Sequence, residues 1–242
     1  MAIDLLVLAL APVVAFVFWI YLKDKYEKEP IVILVKYFVL GAILSVFAII
    51  IERFLVKINI LDGWYNYIYI AFIVAGLTEE GLKALILIPI LFKEKHFNEK
   101  LDGVIYSIFL SLGFASIENL IYIMSESRDF VFELGLSRAI ISIPGHIMFA
   151  ITMGYYISKY KFSDDKIKKR EYFIMSIILP ILLHGIFDFI LIIEYRWAII
   201  LFVIYIVFLW KNNLDKLEYY TNISKVRFFK RKRFKLRKTK KM

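Results

Sequence analysis

The stretch YIYIAFIVAGLTEEGLKALILIPILF, residues 67–92, decides the fold of this chain because it is apolar and long enough to cross a bilayer. It nevertheless carries Glu79 and Glu80 side by side, with Lys83 one turn further on. One acid at the centre of a membrane helix costs about 2.5 to 3.5 kcal/mol, and two adjacent carboxylates also repel each other. A sequence tolerates such a cost when the charged groups meet in a functional site, which here would lie within the membrane.

The composition places the chain among membrane proteins. Of its 242 residues 61% are hydrophobic, and the mean hydropathy is +0.69. Soluble domains have only about 45–50% apolar residues. Cysteine is absent, which excludes disulfides, thiolate metal ligands and a cysteine nucleophile. We therefore predict an all-α, polytopic protein of the cell membrane.

Seven apolar stretches separated by polar clusters predict about seven transmembrane helices. The predicted spans are Ile3–Leu22, Ile31–Ile51, Tyr67–Phe92, Asp102–Met124, Arg138–Tyr160, Tyr172–Ile193 and Arg196–Trp210. We assign residues 1–210 to one transmembrane helical domain and residues 211–242 to a basic cytoplasmic tail. Only Glu194 and Tyr195 separate the last two spans, which predicts a tight helical hairpin.

The distribution of basic residues predicts the orientation. If the N-terminus lies outside, the basic clusters at residues 23–28, 93–100 and 159–170 and the whole tail fall on the cytoplasmic side. The outer loops then carry only Arg53, Lys57, Arg128, Arg138 and Arg196. Because cytoplasmic loops carry the excess of lysine and arginine, this asymmetry predicts an N-out, C-in topology.

The tail is strongly basic. Residues 211–242 hold 13 of the 32 lysines and arginines against two acids, Asp215 and Glu218. Basic segments with interleaved aromatic residues can bind nucleic acid. A basic segment next to a membrane span also binds anionic lipid headgroups, at about 1 kcal/mol per charge. We predict that the tail lies on anionic lipids and that the protein binds no nucleic acid.

In the third predicted span, Glu79 and Lys83 are i,i+4 neighbours on a helix. The ammonium can therefore neutralise one carboxylate while the other stays available. A purely structural salt bridge is the alternative, but it leaves one of the two glutamates without a partner.

Three later spans also carry ionisable groups: Glu118, then His146, then His184 with Asp188. The last two are i,i+4, so Asp188 can accept a hydrogen bond from one imidazole nitrogen and orient the ring. Each group taken alone is compatible with a hydrogen bond between packed helices. Their predicted depth is similar, about 8–18 Å below the outer surface, which favours one site open to the outside.

Taken in order along the chain, these motifs resemble the PrsW family of intramembrane proteases, which is similar to the type II CAAX prenyl proteases. The motifs are Glu79-Glu80-x-x-Lys83, Asp102-Gly103, Gly113-Phe114-Ala115-x-x-Glu118-Asn119, Arg138…Pro144-Gly145-His146 and His184-x-x-x-Asp188-Phe189. The resemblance covers roughly residues 70–190, and we expect the first span, the seventh span and the tail to lie outside it. PrsW-like proteins are site-1 proteases that cut membrane-bound anti-sigma factors. The resemblance thus implies cleavage of a membrane-anchored protein or peptide substrate near the outer face.

The resemblance also implies roles for individual residues. In the CAAX relatives the paired glutamates supply a carboxylate that activates water, and a late histidine motif, matched here by His184 and Asp188, binds the oxyanion. Glu118 stands where the CAAX pattern has a histidine, and it matches the PrsW pattern instead. The implied catalytic residues are Glu79, Glu80, Glu118, His146, His184 and Asp188.

Two chemical routes remain open. Without metal, Glu79 or Glu80 is the general base and His184 stabilises the oxyanion. With a divalent metal such as Zn²⁺, His146, His184 and a glutamate, Glu118 in the set we consider, make a three-ligand site. No His-Glu-x-x-His helix is present, so the ligands would come from three helices, and we favour the metal-free route.

Two other classes of protein bury charges in this way. A proton-coupled transporter or ion carrier uses the same residue types, and a non-catalytic membrane scaffold could retain them. The polar groups, however, cluster toward the outer half of the predicted bundle, and no inverted repeat is visible. Both observations favour a protease over a transporter.

Overall fold

The computed structural model describes residues 2–193 and 195–239, and this part of the chain is all-α, without a β-strand. Its helices are α1 (Ala2–Lys23), α2 (Ile31–Ile58), α3 (Gly63–Ile68), α4 (Thr78–Lys93), α5 (Lys100–Ser125), α6 (Val131–Ser137), α7 (Ile143–Phe162), α8 (Lys166–Ile192) and α9 (Ala198–Thr239). π-Helical segments at Tyr69–Leu77 and Arg138–Ser142 join α3 to α4 and α6 to α7. The predicted fold class is confirmed. Glu194 of the predicted hairpin and residues 240–242 of the predicted tail lie outside the described residues.

Six helices of the described chain are long and apolar enough to cross a membrane. They are Ile3–Lys23, Ile31–Ile58, Lys100–Ser125, Val131–Phe162, Lys166–Ile192 and Ala198–Phe234. The predicted span at residues 67–92 is helical but is not among them. It contains the charged residues Glu79, Glu80 and Lys83. A polytopic membrane protein is thus confirmed, whereas the number seven and the N-out orientation remain predictions.

The chain alternates between two ends of the bundle. The loops at residues 24–30, 94–99 and 163–165 lie at one end together with the last turns of α9, and we call this the basic end. The loops at residues 59–62 and 126–130 lie at the opposite end, which the predicted topology places outside the cell.

Helix α5 lies at the centre of the bundle, against α1, α2 and α7. Every residue from Leu101 to Ser116 is buried, as expected for a helix surrounded by other helices. A Cβ on Gly41 would lie 1.8 Å from the Leu110 carbonyl oxygen, and one on Gly113 would lie 1.9 Å from the Phe38 carbonyl oxygen. Only residues without a side chain allow α2 and α5 to approach this closely.

Helix α9 continues past the predicted end of the seventh span at Trp210 and includes most of the predicted tail. Buried residues recur on one face, at Leu209, Asn213, Leu217 and Tyr220, and this face packs on α7. The helix continues because burial of this stripe stabilises it beyond the apolar segment. The helix thus has no break at Trp210, and the division into a transmembrane domain and a separate tail stays a prediction.

The distal part of α9 contacts loops at the basic end. Arg227 donates a hydrogen bond to the carbonyl oxygen of Asn98 at 2.9 Å and lies 3.7 Å from a carboxylate oxygen of Glu99. Arg231 forms an ion pair with Glu27. Part of the basic segment therefore binds the protein itself.

Two acids of the loop between α1 and α2 are buried at the basic end. Asp24 is 1% exposed and Glu29 is 5% exposed. Glu29 accepts a hydrogen bond from the Tyr106 hydroxyl, and its backbone N–H donates to Asp24 at 2.8 Å. Loss of hydration raises the pKa of Glu29 to about 7 and that of Asp24 to about 6, because burial penalises the charged form.

Replacing Glu29 with glutamine should therefore stabilise the protein at alkaline pH. The pKa of Glu29 rises from an ordinary 4.5 to about 7 on folding, so stability falls as the pH rises through this window. We expect Glu29→Gln to raise the free energy of unfolding in detergent by about 2 kcal/mol at pH 8, and by less at pH 5. Denaturant unfolding at both pH values measures this, with the exposed Glu171→Gln as control. An effect of Glu29→Gln that is independent of pH would contradict the assignment.

The predicted topology can be checked directly. Because the basic loops and the end of α9 lie at one end of the bundle, tags at Met1 and Met242 should report opposite sides of the membrane, with Met1 outside. Protease protection of each tag in intact cells measures this. Both tags on one side would overturn the orientation.

Candidate active site

The first two turns of α4 bring two carboxylates and one ammonium together. The Lys83 Nζ lies 2.6 Å from Oε1 of Glu80 and 3.2 Å from Oε2 of Glu79. Glu80 is fully buried and Lys83 is 1% exposed. Lys83 therefore contacts both glutamates and lies closer to Glu80, rather than neutralising one carboxylate and leaving the other without a contact.

The π-helical segment before α4 allows α8 to approach this cluster. A Cβ on Gly76 would lie 2.8 Å from the Ile181 carbonyl oxygen and 3.1 Å from the backbone nitrogen of Gly185. This contact places His184, the neighbour of Gly185, beside the start of α4. π-Helical turns are uncommon and occur frequently at functional sites, and this one ends immediately before the paired glutamates.

His184 lies between carboxylates on two helices. Its Nδ1 is 3.3 Å from Oε1 of Glu80 and 4.0 Å from Oε2 of Glu79. Its Nε2 is 3.4 Å from Oδ2 of Asp188, one turn later on α8. The Phe149 ring stacks on the imidazole, with ring centroids 4.7 Å apart. The ring therefore has a fixed orientation, with Nδ1 toward the paired glutamates.

His146 lies on the other side of the cluster, near the start of α7. Its Nε2 is 2.8 Å from Oε2 of Glu118, and its Nδ1 is 3.3 Å from the Lys83 Nζ. The second oxygen of Glu118 accepts a hydrogen bond from Arg138 at 2.9 Å. Arg138 also donates to Asn119 at 2.6 Å, which ties the second π-helical segment to α5.

These groups adjoin a cavity of about 720 Å³, which lies at the end of the bundle opposite the basic end. Five of the six predicted catalytic residues line it: Glu79, Glu118, His146, His184 and Asp188. Glu80 lies behind them, where it contacts Lys83 and His184. The structure thus brings all six residues into one contiguous cluster at the end that the predicted topology places outside.

Sequence reasoning missed two residues of the cavity wall and left a third without a role. Glu52 was placed beyond the end of the second span at Ile51, whereas α2 continues to Ile58 and Glu52 lines the cavity. Tyr122 lines it as well, and Arg138, quoted only as part of a motif, binds Glu118. The sequence offers one signal for Glu52, its position four residues after Ala48 on the same helix face, but only the structure shows that this face is buried.

Potential metal ligands form two groups, in each of which the ligand atoms lie within 4.8 Å of one another. The groups are Glu79, Glu80 and His184, and Glu79, Glu118 and His146. The predicted set of His146, His184 and Glu118 is thus divided between them, with Glu79 common to both. In the first group Oε1 of Glu80 is paired with Lys83, and in the second Oε1 of Glu118 is paired with Arg138. The Oε2 atoms of both glutamates are buried with no hydrogen-bond partner among the described residues, so each group offers a free carboxylate oxygen.

Comparison with known proteins agrees with this geometry. Residues 29–211 match the family described as PrsW family intramembrane metalloprotease. Protease PrsW of Clostridioides difficile (strain 630) is 60% identical over 238 residues, covering 98% of this chain and 100% of that protein. Protease PrsW of Bacillus subtilis (strain 168) is 34% identical over 207 residues, covering 86% of this chain and 91% of that protein. No solved structure matches the chain.

The match extends beyond residues 70–190. The family match at residues 29–211 includes the seventh span but leaves out the first span and nearly all of the tail, so the expectation that these lie outside the resemblance is wrong for the seventh span. The Clostridioides relative covers nearly all of the three segments. Together with the buried glutamates and histidines, these relatives identify an intramembrane protease, a peptide hydrolase, in a multi-pass protein of the cell membrane. They do not favour a transporter or a scaffold. The chain belongs to the PrsW family of intramembrane metalloproteases.

Proposed function

We propose that the protein hydrolyses a peptide bond of a membrane-anchored protein or peptide. This substrate enters the cavity at the end of the bundle opposite the basic end. The observation that carries this proposal is the position of one carboxylate. Glu79 lines the cavity, and its Oε2 lies 3.8 Å from His146 and 4.0 Å from His184. A base, two imidazoles and a water-accessible space are the components that hydrolysis of an amide requires.

We assign the general base to Glu79. It lines the cavity, whereas Glu80 does not, and its contact with Lys83 is the longer of the two, 3.2 Å against 2.6 Å. In this assignment Glu79 takes a proton from water as the oxygen adds to the substrate carbonyl carbon, and the proton later goes to the leaving amine. Glu80 holds Lys83 and His184 in place.

The contacts of His146 support a positioning role. A lysine ammonium only donates hydrogen bonds, so Nδ1 of His146 accepts from Lys83 and the ring proton lies on Nε2. That Nε2–H faces the carboxylate of Glu118, whose Oε2 lies 2.8 Å from the ring nitrogen. Both nitrogens are engaged within the protein. His146 and Glu118 therefore fix Lys83, and through it the carboxylate of Glu79.

The contacts of His184 support a role toward substrate. Asp188 lies at Nε2 and orients the ring, while Nδ1 faces the two glutamates. A protonated Nδ1 can donate to the oxyanion that forms when water adds to the carbonyl, and the low-dielectric surroundings strengthen that interaction.

The same residues fit the metal that the family description implies. Glutamate and histidine are ligands of catalytic zinc, and a carboxylate at the other ring nitrogen, as Asp188 is here, commonly accompanies them. The unpartnered Oε2 of Glu80 supplies a free donor atom. Glu79, Glu80 and His184 would hold the ion, with Nδ1 of His184 deprotonated. A bound divalent metal would polarise the substrate carbonyl and lower the pKa of a bound water.

The predicted lipid contact of the tail also remains a proposal. Arg227 and Arg231 bind loops of the protein, but Lys225, Lys230 and Lys232 are exposed on the same helix. Exposed lysines next to a membrane span are suited to anionic headgroups.

Substitutions in the cluster test the assigned roles. Glu79→Gln and His184→Ala should each lower kcat about 10²-fold or more, because each removes a group that acts in the transition state. Asp188→Asn should be milder, since an amide oxygen can still orient the ring. Cleavage of a membrane-tethered peptide in detergent measures kcat. The matched control is His96→Ala, which removes an exposed histidine at the basic end.

Retained activity in Glu79→Gln together with loss in Glu80→Gln would move the base to Glu80. Full activity in Glu79→Gln, Glu80→Gln and His184→Ala, with folding intact, would overturn the assignment of this cluster to proteolysis.

Metal analysis separates the two chemical routes. On the metal route purified protein should contain about one equivalent of a divalent metal per chain, and Glu79→Gln, Glu80→Gln and His184→Ala should lose it. Elemental analysis measures the metal, and cleavage assays with a chelator measure its need; His96→Ala should keep the metal. Undiminished cleavage by metal-free protein would instead favour the route that uses Glu79 and His184 alone.

A further inference from the structure

The protein-facing stripe of α2 ends in an acid. Buried residues recur along this helix at Leu34, Tyr37, Gly41, Leu44, Ser45 and Ala48. Glu52 is the next position on this face, one turn after Ala48, and it lines the cavity. A carboxylate on the packed face of an apolar helix is costly, as the glutamates of α4 are. Because Glu52 lines the cavity, a ligand bound there would offset this cost.

Glu52 differs from the other cavity carboxylates in its contacts. Glu79 is paired with Lys83, Glu118 with Arg138 and His146, and Asp188 with His184. Among the described residues Glu52 has no hydrogen bond or ion pair, although it lies within electrostatic range of Glu79, Glu118, His184 and Lys83. Its carboxylate is thus available to a group that enters the cavity.

The surroundings of Glu52 indicate what that group is. Around it the cavity wall is mainly apolar, with Ile49, Val56, Ile70 and Val74, and the charged Arg53 also lines it. An apolar segment with one cationic side chain matches such a wall, because a partly buried carboxylate forms its strongest hydrogen bonds with an ammonium or a guanidinium. An acidic side chain would meet four carboxylates of the cavity, Glu52, Glu79, Glu118 and Asp188, against two arginines, Arg53 and Arg138, the second of which is paired with Glu118.

The position of Glu52 along α2 also indicates which part of a bound substrate it contacts. It lies six residues, about 9 Å, before the end of α2 at Ile58, so it is nearer the opposite end of the bundle than the cluster at the start of α4. Resting on the proposed function, we infer that Glu52 binds a lysine or arginine of the substrate. This residue lies between the scissile bond and the mouth of the cavity, and Glu52 thereby determines specificity.

Cleavage of a peptide series tests the inference. The peptides share one membrane-tethered apolar segment and carry Lys, Met or Glu at each position around the scissile bond in turn. Wild-type protein should prefer Lys over Met at one position on the mouth side by about tenfold or more in kcat/KM. Glu52→Gln should remove most of that preference, and Glu52→Lys should shift it to Glu at the same position. Loss of structural support alone would not reverse a preference.

The matched control is Glu133→Gln, which removes an exposed acid at the same end of the bundle and should keep the preference for Lys. Equal cleavage of the Lys and Met peptides by wild-type protein, or a preference that survives Glu52→Gln, would overturn the role of Glu52 while the protease assignment stands. If wild-type protein cleaves none of the peptides, the proposed function fails and this inference fails with it.

Discussion

The candidate active site depends on the contacts that the ammonium of Lys83 makes. It lies within 3.3 Å of two glutamates and one histidine that burial would otherwise disfavour. Removing a charged group from water costs several kcal/mol, and that cost is offset only by well-placed partners of opposite charge. One cation on α4 thus allows two adjacent acids to remain at membrane depth, and its contact with His146 extends the network to α7. The contacts that hold the proposed catalytic groups in place are therefore the same contacts that offset the cost of burying their charges.

Two irregularities of the helices bring the remaining groups to this cation. One π-helical segment ends at Leu77, immediately before the paired glutamates, and the other ends at Ser142, shortly before His146. Near the first, Gly76 and Gly185 permit contact between backbones, which places His184 beside Glu80. Near the second, Arg138 is turned toward Glu118 and Asn119. Backbone of this kind is tolerated in a membrane where neighbouring helices enclose it, as they do here.

The two ends of the bundle have different electrostatics. At the basic end, Glu29 and Asp24 are buried under the loop between α1 and α2, while arginines of α9 bind Glu27 and Asn98. At the opposite end the charged groups surround a cavity instead. Helix α5 joins these regions, because its buried face contributes Tyr106 to the first and Glu118 to the second. The proposed active site and the buried acids of the basic end thus lie at opposite ends of the bundle.

The sequence by itself determined the all-α membrane class and the six residues of the cluster, since apolar length and misplaced charge are both visible in one dimension. It also gave the i,i+4 pairs of Lys83 with Glu79 and of Asp188 with His184, which follow from helical spacing alone. Only the tertiary structure decided which glutamate faces the cavity, how the two histidines are divided between Glu118 and Glu80, and that Glu52 belongs to the wall. It also decided that α9 continues through the basic segment, because the stripe that stabilises it is buried on α7. These features depend on contacts between helices far apart in the chain, and the pattern within one helix carries no information about its partner's register.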